Sequence, residues 1–192
     1  MDKATFNLVI VGVGGQGTLL ASKILGRLAL MENLGVKVSE VHGMSQRGGS
    51  VITHVRVGDQ VKSPIVSLGE ADYLISFEAL EAARSAAFLK DDGVVIVNSQ
   101  EILPMPVITG AASYPAAPLD GFGGCKLISV DALALAISAG NQRALNLVLL
   151  GILSKYLPFE ERVWNQAIAA CVPRKTLEVN LKAFALGREQ AA

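Results

Sequence analysis

Residues 7–28 read NLVIVGVGGQGTLLASKILGRL, and this stretch decides the fold. Asn7 to Val11 is a compact apolar run of the length of a buried strand, and it stops at a glycine-rich turn. After the turn, Leu20, Ile24 and Leu28 recur every four residues, the spacing of one face of a helix, while Lys23 and Arg27 fall on the face left to water. Strand, glycine turn and helix in this order predict an α/β domain. Gly35 follows as a candidate C-terminal cap, and Val36 to Val41 supplies a second strand, which would complete a βαβ unit.

Downstream, the pattern breaks and then resumes. Ser50 to Val57 and Val61 to Val66 read as two extended segments around a Gly58-Asp59 turn, which predicts a hairpin. Tyr73 to Phe77 is a further strand, Ala79 to Leu89 a helix, and Val94 to Val97 another strand. Between Ile102 and Lys126, Pro104, Pro106, Pro115 and Pro118 alternate with glycines around a short strand-like piece at Val107 to Thr109, the signature of a long surface connection. Beyond Leu127 to Val130, helices are expected near Asp131–Ser138, Gln142–Lys155, Glu160–Ala170 and Lys175–Arg188, with Pro158 and Pro173 separating the last three.

Composition narrows the function. Seventeen acidic residues balance seventeen basic ones, so the electrostatic footprint of a nucleic-acid binder is missing and no nucleic acid is expected. Apolar residues make up 51% and aromatics only 5%, a core of Val, Ile, Leu and Ala suited to buried parallel strands. Cys125 and Cys171 stand alone, with no metal or disulfide spacing, and two thiols fall short of the roughly four that an iron–sulfur cluster takes. The apolar run at Phe6 to Val11 is too short for a secretory signal. Ala144 to Leu153 is about half a membrane span, so a cytoplasmic protein without membrane contact is expected.

The turn Gly12-Val13-Gly14-Gly15-Gln16-Gly17 fits G-x-G-x-x-G between a strand and a helix, where backbone N–H groups face an anion. The same glycines also allow a helix to pack closely on a strand. Glu40, at the end of the second strand, is the candidate for ribose hydroxyls. A second polar loop follows it, His42-Gly43-Met44-Ser45-Gln46-Arg47-Gly48-Gly49-Ser50. Both loops leave the C-terminal ends of early strands, where α/β domains bind ligands. Gly12, Gly14, Gly15, Gln16, Gly17, His42, Gln46 and Arg47 are therefore the candidate anion-binding residues, a set suited to a carboxylate or a phosphate, and no catalytic residue or metal ligand is assigned. His54 reads as a plain sheet residue. Asp72 and Glu78 read as caps, or as groups pointing into the ligand edge, and Asn98 is expected to face that same edge. Asn141 suits a helix cap, and Asn146 requires a polar partner inside an apolar helix.

The series Gly12–Gly17, Glu40–Val51, Gly69-Glu70-Ala71-Asp72 and Phe77-Glu78 resembles the gamma-type domain of 2-oxoacid:ferredoxin oxidoreductases. The stretch Glu-Val-His-Gly-Met-Ser-Gln-Arg-Gly-Gly-Ser at residues 40–50 is similar to the branch acting on aryl pyruvates such as indolepyruvate. Matching order extends through Val94–Asn98 and Tyr114-Pro115, and Asn141–Gly151 fits a later helix of the family. The tail after Pro158 is less diagnostic. The resemblance implies a Rossmann-like three-layer α/β fold over residues 1–192, with a mostly parallel sheet, a β-hairpin insertion and a helical C-terminal extension from about 158. It also implies a heteromeric enzyme that oxidatively decarboxylates its 2-oxoacid, with coenzyme A as acyl acceptor and ferredoxin as electron acceptor. Thiamine diphosphate and iron–sulfur clusters would then sit on a larger alpha subunit, none on this chain, and the chain alone would be inactive. A stand-alone nucleotide-binding module and a free-standing dehydrogenase are the alternatives.

Overall fold

The computed structural model describes residues 5–43 and 49–191. A six-stranded sheet forms its centre, in the order β2-β3-β1-β4-β5-β6. β1 (Phe6–Val13) leads through the glycine turn into α1 (Thr18–Met31), and β2 (Gly35–His42) and β3 (Ser50–Gly58) follow. β4 (Ala71–Ser76), α2 (Ala79–Ser85), β5 (Leu89–Asn98) and β6 (Lys126–Val130) complete the sheet region. Strands β1, β4, β5 and β6 pair in parallel, whereas β3 pairs antiparallel with β1 on one side and with β2 on the other. The fold is thus α/β with a mixed, mostly parallel sheet.

Several details differ from the sequence expectation, among them that α2 stops at Ser85 and Leu89 already opens β5. First, β2 runs parallel to β1 but is not its neighbour, because β3 inserts between them. The hairpin is β2–β3, closed through the second polar loop. Residues 61–66 form no strand: both edges of β3 are already taken, and Pro64 removes a ladder donor. Second, α1 closes on Asn33, which takes the left-handed conformation at φ 55°. Gly35 instead belongs to β2, where a β-carbon would stand 2.7 Å from the Gly58 carbonyl oxygen.

Alternation along the strands divides the core. Leu8, Ile10, Val55, Ile75 and Ile96 face one layer, built from α1, α4 (Ala132–Ala139), α5 (Leu145–Leu153), α6 (Glu161–Cys171) and α7 (Leu177–Glu189). Val9, Val11, Leu74, Val95 and Val97 face the other, where Ala82 of α2, Val66 and Phe122 cover them. The C-terminal helices are thus part of the main core, with Trp164 of α6 packed on Phe184 of α7 at 5.5 Å between ring centroids. Within the long connection, the piece expected as extended is a single helical turn, α3 (Met105–Ile108), with Pro106 near its start, where the missing N–H costs no bond. Among the described residues, no helix is long and apolar enough to cross a membrane.

Candidate functional site

The glycine turn is filled from inside. Gln16 folds back so that its Oε1 accepts the Val13 N–H at 2.7 Å while its Nε2 donates to the Phe77 carbonyl at 3.1 Å. Both ends of the amide are therefore spent on tying β1 to the end of β4. A β-carbon on Gly12 would stand 2.8 Å from Gln16 Oε1 and 2.9 Å from Phe77 Cβ, so this glycine is required by close packing. Gly17 begins α1 at φ 93°, a conformation that favours glycine, and its missing β-carbon leaves room for Asn146. Asn146 donates to the Gly17 carbonyl at 3.4 Å, which supplies the polar partner its buried position requires.

Helix α1 has no side-chain cap and no acidic residue in its first turn. Glu40 compensates from the neighbouring strand: its Oε2 accepts from Thr53 Oγ1 at 2.9 Å and from Thr18 Oγ1, on the first helical residue, at 3.4 Å. A carboxylate there offsets the positive end of the helix. Its Oε1 lies 2.9 Å from Nε2 of His42, whose side chain is 60% exposed. The residue expected to meet a ribose is thus engaged with protein groups, and His42 projects at the rim with a carboxylate orienting its ring. The two loops meet at their roots, where Gly14 N–H donates to the Gly49 carbonyl at 2.9 Å, and the base of the polar loop is closed by Gly43 N–H donating to the Ser50 carbonyl at 3.1 Å. Gln46 and Arg47 lie outside the described residues.

The same edge continues across β4 and β5. The Phe77 carbonyl, already bound by Gln16, also accepts from Asn98 Nδ2 at 3.1 Å, and Asn98 Oδ1 accepts the Ala132 N–H at 3.1 Å. Asn98 is fully buried and pins α4 to the sheet. Glu78 caps α2 through the Glu81 N–H at 2.9 Å, and its other oxygen accepts from Ile102 N at 3.1 Å and Tyr114 Oη at 2.6 Å. Burial, reinforced by this bond and by the charge of Glu78, pushes the Tyr114 phenol well above its ordinary value. Glu81, equally buried, accepts from Ser50 Oγ and from Arg84 Nη1. Sequence reasoning assigned no role to Ser50, Thr53, Glu81 or Tyr114. The Glu78-x-x-Glu81 spacing is that of a helix start, but nothing local tells that Ser50 would meet Glu81.

Other singled-out residues lie elsewhere. Asp72 stands near the start of β4, at the opposite end from the glycine turn, where it accepts the Asn7 N–H at 2.7 Å and pairs with Lys90. His54 is buried on β3, its Nδ1 accepting the Val66 N–H at 3.4 Å, and burial lowers its pKa. Asn141 caps a short turn through the Arg143 N–H at 2.9 Å. Cys125 precedes β6 and Cys171 ends α6, both unpaired, and burial raises the Cys171 pKa above its ordinary value.

Comparison with known proteins places this architecture. A profile of the family described as "Pyruvate ferredoxin/flavodoxin oxidoreductase" matches residues 7–190. A protein of Thermococcus kodakarensis named "Indolepyruvate oxidoreductase subunit IorB" is 44% identical over 97% of this chain and 96% of its own length. A protein of the same name from Archaeoglobus fulgidus is 42% identical over 96% and 94%. Among solved structures, the gamma subunit of a keto/oxoacid ferredoxin oxidoreductase from Geobacter sulfurreducens superposes with a TM-score of 0.72 over 97% of this chain and 98% of its own, at 23% identity, a likeness of fold. With nearly its whole length matched by the profile and by these relatives, the chain belongs to the pyruvate ferredoxin/flavodoxin oxidoreductase family.

Proposed function

We propose that this chain is the metal-free subunit of a heteromeric oxidoreductase that decarboxylates aryl pyruvates such as indolepyruvate, transfers the acyl group to coenzyme A and passes two electrons to ferredoxin. The observation that carries this reading is the full-length likeness to proteins named as indolepyruvate oxidoreductase subunits. An iron–sulfur cluster does not fit the donors of this chain, because two separate cysteines cannot replace about four converging thiolates. Thiamine diphosphate, held by the larger partner, supplies the carbanion chemistry.

The part of this chain in the reaction is to form a wall at the C-terminal edge of its sheet. Gly12, Gly14, Gly15, Gln16 and Gly17 give that wall its shape. His42, with Gln46 and Arg47 from the neighbouring loop, supplies polar groups suited to a phosphate of coenzyme A or a carboxylate of the partner. Gln16 acts through the loop rather than by contact, since its amide is already engaged. In this reading the complex works in the cytoplasm.

The stand-alone nucleotide-binding reading has the G-x-G-x-x-G turn in its favour. Against it stand Glu40, whose carboxylate lies by the α1 start, and β3, which occupies the sheet position next to β1. The test is co-expression with the large subunit, then co-purification and an assay of coenzyme A-dependent ferredoxin reduction by indolepyruvate, each chain also being assayed alone. Activity confined to the complex is expected. Failure to associate, together with tight dinucleotide binding by this chain alone, would overturn the proposal.

A further inference from the structure

We infer that Glu81 is a positioning residue, which through Ser50 holds the roots of the glycine turn and of the neighbouring polar loop in the geometry the assembled enzyme uses. This rests on the reading of that edge as a wall of the active assembly.

Ser50 is where three elements meet. Its backbone pairs with Val13 at the end of β1, its carbonyl accepts Gly43 N–H from the end of β2, and its hydroxyl donates to Glu81 of α2. The residue before it, Gly49, accepts the Gly14 N–H of the glycine turn. Glu81 is only 3% exposed, and Arg84 satisfies its second oxygen at 2.6 Å. A buried carboxylate is costly to desolvate, and apolar packing would serve stability as well. What the ion adds is direction, because two charge-assisted bonds fix the carboxylate plane and hence the Ser50 hydroxyl. The roots on either side of the rim then share one anchor that lies outside the rim itself.

Ser50→Ala removes the hydroxyl, Ser50→Thr keeps it, and Glu81→Gln keeps the size but presents an NH2 to one of its two donors. Amide hydrogen exchange on the full chain comes first. Exchange at Gly14 and Gly43 should quicken about tenfold in Ser50→Ala and Glu81→Gln, as expected for one lost charge-assisted bond. Exchange at Ile10 and Ile75 in the sheet should hold, and Ser50→Thr should restore the slow rates. In the complex with the large subunit, the first two variants should raise KM for coenzyme A about tenfold while kcat stays within about threefold, again with rescue by threonine. Unchanged exchange at Gly14 and Gly43 would overturn the anchor, and so would equal acceleration across the sheet. Selective exchange changes with wild-type kinetics in an active complex would reduce Glu81 to a structural residue. If the wild-type complex itself lacks activity, the proposed function fails, and the exchange result alone decides whether Glu81 anchors the roots.

Discussion

Helices α5 and α7 touch through glycines, and substituting one of them tests how tightly the C-terminal helices belong to the core. A β-carbon at Gly187 would stand 2.8 Å from the Val148 carbonyl carbon and 2.9 Å from its α-carbon, with the carbonyl oxygen closer still. Carbon atoms prefer about 3.5–4.0 Å, so Gly187→Ala must part the helices by roughly 0.7 Å or more. No rotamer relieves the clash, because the obstruction is backbone. A gap of roughly 0.5–1 Å forfeits a quarter to a half of each contact along the seam, which puts the cost near the top of the usual ~1–3 kcal/mol for overpacking. Alanine returns about 1 kcal/mol of helix propensity, leaving a net loss of about 2 kcal/mol. Gly26→Ala in α1 is the control, since nothing lies within 4 Å of its would-be β-carbon. It should gain up to about 1 kcal/mol. Urea unfolding of the full chain reads both: with a slope of about 2 kcal/mol/M, the Gly187 variant should lose about 1 M in midpoint and the Gly26 variant should gain. A Gly187→Ala protein as stable as the parent would refute the close approach of α5 and α7.

Three further outcomes follow from the site and its surroundings. Gly17→Ala should cost about 1–2 kcal/mol, because the left-handed start of α1 disfavours a side chain and Asn146 stands 3.1 Å from the new β-carbon; a neutral change in thermal unfolding would contradict this. Tyr114→Phe should lose about 1–2 kcal/mol through its bond to the Glu78 carboxylate, and in ultraviolet titration the phenol absorbance that develops above the ordinary tyrosine value of about 10 should be smaller in the variant than in the parent. Burial holds the folded pKa of His54 below 6.5, so the unfolded chain takes up that proton first. The stability from neutral His54 is full above pH 6.5 and is lost as pH falls from there through the folded value, so His54→Gln should flatten the acid dependence of the urea midpoint below pH 6.5.

Much of this molecule is legible locally. Apolar runs and four-residue spacing marked β1, α1, β4 and β5, and short-range chemistry marked the caps at Glu78 and Asn141, because strands, helices and caps are decided by neighbours a few residues away. The family, too, was legible in residues 40–50 and the glycine turn. Tertiary structure decided the rest. Only pairing across the sheet could put β3 between β1 and β2, and once its two edges were filled, residues 61–66 had nothing to pair with. Only packing could turn Gln16 from a candidate ligand-holder into an internal brace, bring Asn146 to Gly17 across 129 positions, and bury Glu81 beneath Ser50. A sequence specifies which donors and acceptors exist. Which of them meet depends on contacts distant in the chain, and those form only when the whole sheet and its helices close together.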